Sequence, residues 1–339
     1  MKFIDMFCGI GTIRMGFEQA GHECVYSIEW DKHKRRIYNV IFGQEPEGRD
    51  IRTIRAVDIP RADCWCFGAP CQDFSIAGKR QGLEGDRSSL VREVFRLVRE
   101  TKEECRPKYL FYENVKGMFS SNKGLDYFKI LCEMDELGYD IEWQLLNSKD
   151  FGVPQNRERV FTIGHLRSRG RQKIFPITGG NSQTLKQIIP KSDAQRVAED
   201  GGQGTKTGLY LVNGTKEGKV YCLDANYAKG CNDLSKGRRT MVEVRSVLTP
   251  NRLNKRQNGR RFKEPNEPMF TLTKQDIHSV EYQGRIRRLT PKECWRLQGI
   301  PDKITDKVIA AGISDTQMYR GAGDATTVNV IYEIAKRME

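Results

Sequence analysis

Cys71 is the residue whose surroundings most directly predict chemistry. It follows an apolar stretch at 62–70, and the residues after it include polar Gln72, Asp73 and Ser75 and then Gly78, Lys79 and Arg80. A thiolate forms readily where a thiol lies next to the backbone amides of a turn. Most cysteines are instead small buried hydrophobes, and we expect that role for Cys64 and Cys66. The pattern favours a nucleophile at Cys71.

Glu113 is a second candidate for chemistry. It follows the apolar run KYLFY at 108–112, so we expect it at the same edge of a sheet as Cys71. A carboxylate buried at a strand end without a purpose would be costly, which favours a functional role. Asn114, its neighbour, is a candidate for orienting it.

Arg157 and Arg159 form a third candidate group. They lie two residues apart before an apolar strand, and side chains at that spacing face the same side of an extended segment. Such a pair can hold a phosphate or stabilise negative charge that develops on a substrate carbonyl. The alternative is a surface salt bridge with Glu158.

A glycine-rich turn near the start of the chain predicts a nucleotide-like ligand. The stretch FCGIG at 7–11 follows a short apolar run, and its glycines let a ligand approach the backbone beside the next helix. Glu29 ends the following strand where nucleotide-binding folds place a carboxylate on ribose, and Trp30 is suited to cover an adenine. The missing third glycine of the dinucleotide pattern favours an adenosyl ligand without phosphates. A solvated Glu29 and a packing role for Trp30 are the alternatives.

Alternating strands and helices must position these residues. Strands are predicted at 2–7, 23–31, 62–70, 108–115 and 141–148. Helices are predicted after the glycine-rich turn and at 32–42, 88–105 and 125–137. This order indicates a doubly wound α/β sheet. The alternation of strands and helices ends at about residue 167. Helices are predicted again from Pro291, with Thr290 as the N-cap.

Charge is concentrated in one internal segment. The net charge is +13, and residues 151–282 hold 24 Lys and Arg against 12 Asp and Glu, whereas residues 1–150 are close to neutral. This distribution predicts a lobe that binds a polyanion beside a near-neutral catalytic lobe. A solvated basic surface is the alternative.

Other classes of protein are disfavoured. Ten cysteines are scattered through a chain that has four histidines, and their spacing does not match a zinc site. No apolar run approaches the roughly 20 residues of a membrane helix, and the first residues lack the pattern of a signal peptide. We expect an intracellular protein with reduced thiols and no metal.

Six motifs together resemble the signature blocks of DNA cytosine-5 methyltransferases. In chain order they are DMFCGIG, EWD, GAPCQDFSIAGKRQGLEGDRSSL, YENV, PQNRERVFTIG and RRLTPKECWRLQGIP. The resemblance implies a Rossmann-like α/β sheet that uses S-adenosylmethionine, with a smaller irregular target-recognition domain. Residues 1–166 would bind the cofactor and catalyse, residues 167–284 would recognise DNA, and residues 285–339 would return to the catalytic domain.

The resemblance also implies a reaction. Cys71 would attack C6 of a cytosine, and Glu113 would hold N3 and the 4-amino group. Arg159 would contact O2, with Arg157 close to it. C5 would then take the methyl group of S-adenosylmethionine. Because neither carbon is reachable inside a duplex, the base must be flipped out, and residues 73–89 would close over it as a lid.

A cofactor pocket follows from the same comparison. Its residues would be Phe7, Gly9, Ile10, Gly11, Glu29, Trp30, Asp50, Ile51, Pro70, Leu90, Asp324 and Ala325. The last two depart from the family, because RGAGDAT at 320–326 stands where Gln-x-Gly-Asn-Ser-Val is usual. Asp324 is therefore expected to add negative charge near the methionine part of the cofactor, and we expect S-adenosylmethionine to be bound nonetheless.

Double-stranded DNA is the partner that the resemblance implies. Candidate contacts beside the nucleophile and in the basic segment are Gln72, Ser75, Lys79, Arg80, Arg238, Arg239, Arg252, Lys255, Arg256, Arg260 and Arg261. Gln72 is a candidate for the space that the flipped base leaves. Affinity that depends on Lys and Arg should fall steeply as salt rises.

Three alternatives remain open at this point. A tRNA cytosine-5 methyltransferase shares these blocks but has a smaller, less basic recognition segment with a Cys-Phe-Thr signature that is not found here. The others are a non-catalytic DNA-binding relative and a nicotinamide-dependent oxidoreductase. We expect a monomer in the cytoplasm of a bacterial or phage-infected cell, without membrane contact and with a cognate restriction endonuclease as a candidate partner.

Overall fold

The computed structural model describes most of the catalytic part of the chain and several pieces of the basic segment. The described residues are 1–68, 90–179, 244–250, 260–265, 267–274, 276–282 and 285–338. Several predicted site residues lie outside them, and their roles stay predictions: Pro70, Cys71, Gln72, Ser75, Lys79, Arg80, Arg238, Arg239, Arg252, Lys255 and Arg256.

A six-stranded sheet forms the centre of the molecule. Its strands are β1 (Lys2–Met6), β2 (Glu23–Ile28), β3 (Cys64–Phe67), β4 (Tyr109–Val115), β5 (Tyr139–Asn147) and β6 (Glu158–Leu166). The strand order is β2-β1-β3-β4-β6-β5. The first four in this order are parallel, whereas β6 runs antiparallel to both of its neighbours. The predicted Rossmann-like α/β class is confirmed.

Helices cover both faces of this sheet. In the first part of the chain they are α1 (Thr12–Gln19), α2 (Lys32–Phe42), α3 (Leu90–Glu100) and α4 (Leu125–Glu136). In the last part they are α5 (Pro291–Arg296), α6 (Asp302–Ala310), α7 (Asp315–Asp324) and α8 (Val328–Ala335). No helix in the described ranges is long and apolar enough to cross a membrane.

Alternate residues of each parallel strand enter different cores. On one face, Leu110 and Tyr112 of β4 pack with apolar residues of α3 and α4. On the other face, Tyr109 and Phe111 pack with residues of α1 and α8. This alternation follows from the two-residue period of a strand, and it explains why these strands are apolar throughout. The doubly wound arrangement is therefore confirmed.

The ends of several predicted elements shift. The strand predicted at 2–7 ends at Met6, because Phe7 has a φ of 60°. The strand predicted at 23–31 ends at Ile28, which places the acidic residues after it in a loop. The predicted Thr290 cap is confirmed: its hydroxyl accepts the Glu293 amide at 3.2 Å, and Glu293 accepts the Thr290 amide at 2.8 Å.

Part of the segment predicted to be irregular is regular. Three short strands, β7 (Val244–Leu248), β8 (His278–Tyr282) and β9 (Arg285–Arg288), form an antiparallel sheet in that order. Each has only four or five residues, and charged side chains interrupt the apolar pattern, so periodicity did not reveal them. Strand β9 pairs with β8 across the domain boundary predicted at residue 285.

The chain also continues to pack on the main sheet after residue 166. The Glu142 carboxylate accepts the backbone amides of Ile174 at 2.8 Å and Phe175 at 3.1 Å. Ile174, Phe175 and Ile177 are buried in the core next to β5 and β6. The division of the chain at residue 166 stays a prediction.

Helix α8 brings the end of the chain back against α1. Gly16 makes this contact possible, since a Cβ at that position would lie 2.5 Å from Ile331 Cγ2 and 3.0 Å from the Tyr332 amide nitrogen. Both distances are shorter than van der Waals contact, so the two helices approach at a glycine.

We predict that Gly16→Ala lowers the free energy of unfolding by about 1–2 kcal/mol, because overpacking outweighs the higher helix propensity of alanine. Urea denaturation measures the change. In an Ile331→Gly background, which removes both Cγ2 and the Cβ that would lie 2.6 Å away, the same substitution should cost less. Equal costs in the two backgrounds would show that the close approach of α1 and α8 does not constrain position 16.

Candidate active site

Glu113 and Arg159 form an ion pair at the end of β4. The Arg159 Nε lies 3.1 Å from Glu113 Oε1, and both side chains are largely buried. Strand β6 brings the arginine there, because Val115 of β4 stands opposite Arg159 in the antiparallel register. Arg159 also donates to the Glu158 carbonyl at 2.8 Å. The arrangement presents a carboxylate and a guanidinium side by side.

The residue that follows β3 lies directly beside this pair. A Cβ at Gly68 would lie 3.1 Å from Glu113 Oε2, so only a glycine leaves the carboxylate its present space. Cys71 follows three residues later, outside the described ranges. Gly68, the last described residue before Cys71, therefore borders Glu113. That Cys71 is close to Glu113 stays a prediction.

Asn114 does not orient Glu113, so that prediction is wrong. Its amide group donates to the Tyr112 hydroxyl at 2.8 Å, and its carbonyl oxygen accepts the Val115 amide at 2.7 Å. The reason is the period of the strand. Tyr112 and Asn114 face one side of β4, whereas Glu113 faces the other.

Arg157 has partners different from those of Arg159. Its buried guanidinium donates to the carbonyls of Leu272 at 3.0 Å, Ala325 at 2.7 Å and Gly323 at 3.2 Å. It therefore joins the start of β6 to two segments from much later in the chain. The predicted alternative, a salt bridge with Glu158, is not what forms, because Glu158 pairs with Lys116 at 2.9 Å.

Gln155 supports the same junction, and the sequence analysis gave it no role. Its amide nitrogen donates to the Leu297 carbonyl at 2.8 Å, and its carbonyl oxygen accepts the Leu272 amide at 3.0 Å. The side chain is fully buried. Its position two residues before Arg157 in the PQNRER motif was the available signal.

The glycine-rich turn is held by Glu29. One carboxylate oxygen accepts the Gly9 amide at 2.9 Å and the other accepts the Asp31 amide at 2.8 Å. Gly9 and Gly11 have φ values of 59° and 87°, which favour glycine. Glu29 is 9% exposed, so the alternative of a solvated side chain is excluded.

These features fit an adenosyl ligand. No described atom lies within 4 Å of a Cβ at Gly9, so a ligand can approach the backbone there. A carboxylate can accept about four hydrogen bonds, and Glu29 uses two in the described structure. Trp30 is 62% exposed, so it does not pack in the core and its ring can cover a base.

The other predicted pocket residues have mixed surroundings. Ile51 and Leu90 are buried in the core beside α3. The Asp50 carboxylate accepts the Arg52 amide at 3.0 Å and pairs with its guanidinium at 2.6 Å, and hydrogen bonding to Arg52 lowers its pKa. Ile10 is buried against Gly321 of α7. Their contacts with a cofactor stay predictions.

Comparison with known proteins agrees with this geometry. A model of the C-5 cytosine-specific DNA methylase family matches residues 1–339. The chain belongs to this family. It is therefore a C-5 cytosine DNA methyltransferase, as the motifs predicted, and the nicotinamide-dependent and non-catalytic alternatives are set aside.

Individual relatives cover nearly the whole methyltransferase. The orphan methyltransferase M.SPRI of Bacillus phage SPR is 31% identical over 100% of this chain and 97% of its own. The type II methyltransferase M.HhaI of Haemophilus parahaemolyticus is 32% identical over 99% and 93%. A solved E. coli prophage protein, titled a putative DNA modification methyltransferase, shares the fold with a TM-score of 0.65 at 21% identity, covering 100% and 98% of the two chains.

Asp324 departs from the family but its charge is compensated. Its carboxylate lies 2.9 Å from Lys34 Nζ and 3.3 Å from Lys274 Nζ. Burial would raise the pKa of Asp324, but the two ammonium groups hold it below its usual value. Asp324 thus carries the expected negative charge, and the two lysines compensate it. Ala325 is buried, and its carbonyl accepts Arg157.

Two of the predicted DNA contacts are described. Arg260 pairs with Glu267 at 2.5 Å, and Arg261 donates to the Thr249 carbonyl at 3.0 Å. Both guanidinium groups thus have protein partners. Within the described ranges, no group of three or more His, Cys, Asp or Glu side chains is suited to hold a metal ion.

Asp5 lies beneath the glycine-rich turn and is fully buried. Among the described residues, neither carboxylate oxygen accepts a hydrogen bond of ordinary geometry. Burial raises the pKa of Asp5 to about 8, although the amide and guanidinium of Arg14 lower it, and the Glu29 carboxylate raises it further. Burial therefore favours the protonated form of Asp5 in the folded protein.

We predict that Asp5 makes the protein less stable as the pH rises from about 4 to 8. The unfolded chain releases this proton near 3.8 and the native protein only near 8, so the native state binds one proton more in this window and loses about 1.4 kcal/mol per pH unit. Asp5→Asn removes this dependence. Urea unfolding at several pH values measures both slopes, and identical slopes would contradict the assignment.

Proposed function

We propose that the methyltransferase transfers a methyl group from S-adenosylmethionine to C5 of a cytosine flipped out of duplex DNA, through a covalent bond between Cys71 Sγ and C6. The observation that carries this proposal is the Glu113–Arg159 pair next to Gly68 at the carboxyl edge of the sheet. That edge is where α/β enzymes bind their ligands.

Addition of the thiolate starts the reaction. Cys71 Sγ forms a bond to C6, and negative charge develops on the pyrimidine ring. Glu113 shares a proton with N3 and accepts a hydrogen bond from the 4-amino group, whereas Arg159 donates to O2 and stabilises the charge. The 3.1 Å contact between these two side chains fixes their relative positions before the base arrives.

Methyl transfer and elimination complete the reaction. S-adenosylmethionine supplies the electrophilic methyl group when it is bound: the bond from sulfur to the methyl carbon breaks as the bond to C5 forms, and S-adenosylhomocysteine is released. Once C5 carries the methyl group, a base removes the C5 proton, the electron pair reforms the C5–C6 double bond and the bond to Cys71 breaks. The enzyme regains its thiolate, and the product is 5-methylcytosine.

The glycine-rich turn and its neighbours hold the cofactor. In this proposal Glu29 accepts hydrogen bonds from the ribose hydroxyls, Trp30 covers the adenine and Asp50 stands at its edge. Phe7, Gly9, Ile10 and Gly11 line the methionine end together with Ala325, and Ile51, Pro70 and Leu90 complete the walls. The open space at Gly9 and the exposed Trp30 ring support this assignment.

In this proposal, residues 167–284 and the residues that follow Cys71 bind DNA. Phosphate contacts come from Arg238, Arg239, Arg256, Arg260 and Arg261, with Gln72, Ser75, Lys79 and Arg80 near the flipped base. The excess of basic residues in 151–282 supports this division. Arg260 and Arg261 would need to exchange their present partners for phosphates.

Cys71→Ser should abolish turnover, because a serine hydroxyl is a far weaker nucleophile than a thiolate. Tritium transfer from labelled S-adenosylmethionine to duplex DNA measures the effect. Cys66→Ala is the matched control, since Cys66 is fully buried in β3 with its sulfur 3.6 Å from that of Cys64. The control should retain methyl transfer and lose only packing energy.

Three outcomes of this assay contradict the proposal. Full activity of Cys71→Ser would exclude the covalent route. Transfer to tRNA but not to duplex DNA would replace the substrate with RNA. Absence of transfer by the wild-type protein to a mixture of genomic duplex DNAs would exclude the activity itself.

A further inference from the structure

Two lysines from distant parts of the chain converge on Asp324. Lys34 belongs to the first turn of α2, and Lys274 lies shortly before β8. Each carboxylate oxygen of Asp324 has its own ammonium partner, at 2.9 and 3.3 Å. We call these three side chains the lysine–aspartate cluster. Two positive charges and one negative charge leave it a net charge of +1.

The cluster borders the glycine-rich turn. Gly321 of α7 packs on Ile10, because a Cβ there would lie 3.0 Å from Ile10 Cγ2. The Thr326 amide donates to the Thr12 hydroxyl at 3.2 Å. Asp324 lies between these two contacts in the sequence, and its partner Lys34 is close enough to Glu29 and to Cys8 of the turn to interact electrostatically with both.

The ammonium group of Lys34 lies at a position that disfavours a positive charge. The N-terminal turn of a helix disfavours a cation, and the Lys34 side chain is only 23% exposed. Burial would lower the pKa of Lys34, but the carboxylates of Asp324, Glu29 and Asp31 raise it above its ordinary value. An ammonium has three donors, so Lys34 can pair with Asp324 and with a ligand at the same time.

In the proposed function, the ligand at this place is the amino acid end of the cofactor. S-adenosylmethionine has a sulfonium, an ammonium and a single carboxylate, and the last two are at its amino acid end. An uncompensated Asp324 would repel that carboxylate. Lys274 offsets the charge of Asp324, and the ammonium of Lys34, which also interacts with Glu29 and Asp31, has donors left for an anion.

We propose that Lys34, positioned by Asp324, binds the carboxylate at the amino acid end of S-adenosylmethionine. Lys274 neutralises Asp324 from the other side, so that Lys34 can donate to the cofactor carboxylate as well as to Asp324. The inference rests on the proposed function, since it requires this cofactor at the glycine-rich turn. It also explains how a chain with Asp324 in place of the usual asparagine keeps the cofactor.

Calorimetric titration with two ligands tests the proposal. S-adenosylmethionine carries the carboxylate, whereas decarboxylated S-adenosylmethionine keeps the adenosyl, sulfonium and ammonium groups without it. Lys34→Met should weaken binding of the first about tenfold, which corresponds to about 1.4 kcal/mol, and should not weaken binding of the second. Lys32→Met, on the exposed side of the same helical turn, is the matched control and should change neither.

The remaining variants guard against a folding defect. Lys34→Arg keeps the charge and should keep the preference for the carboxylated ligand. If the Lys34→Met variant melts below the wild-type temperature, Lys34→Gln takes its place in the titrations. Equal weakening of both ligands, or unchanged affinity for S-adenosylmethionine, overturns the inference while the proposed function stands. Failure of the wild-type protein to bind S-adenosylmethionine overturns the proposed function itself.

Discussion

The guanidinium of Arg157 is the interaction on which the assembly of the active site depends. Arg157 lies directly before β6. Its guanidinium donates to the carbonyls of Leu272, Gly323 and Ala325, which belong to two segments more than a hundred residues further along the chain. A buried guanidinium is costly unless its donors are satisfied. Its bonds therefore stabilise the arrangement in which the segment around Leu272 and the end of helix α7 meet the start of β6.

Two chemically different places result from this arrangement. Arg159, two residues after Arg157, reaches Glu113 at the end of β4, where we propose that the base binds. The carbonyls of 323 and 325 that accept from Arg157 flank Asp324, beside which we propose that the cofactor binds. In this proposal the same short motif positions both the methyl donor and the cytosine.

Local sequence patterns predicted where several site residues lie but not which partners their side chains have. The positions of Glu113 and Glu29 follow from apolar runs that end at them, because parallel strands expose their carboxyl ends at one edge. Asn114 was assigned to the wrong partner, since the two-residue period of a strand turns neighbours to opposite faces. The pairing of Lys34 with Asp324 joins residues from opposite ends of the chain, and no periodicity signals such a contact. The antiparallel course of β6 likewise depends on tertiary packing.

The central claim is that Cys71 attacks a cytosine held by Glu113 and Arg159. The most direct measurement is mass spectrometry of the protein after incubation with S-adenosylmethionine and duplex DNA that carries 5-fluorocytosine in its methylation sites. Fluorine at C5 cannot leave as a proton does, so elimination is blocked and the bond to C6 persists. The account predicts a stable protein–DNA adduct on the peptide that contains Cys71. An adduct on another residue, or methylation of normal DNA without any adduct on the fluorinated duplex, would contradict it.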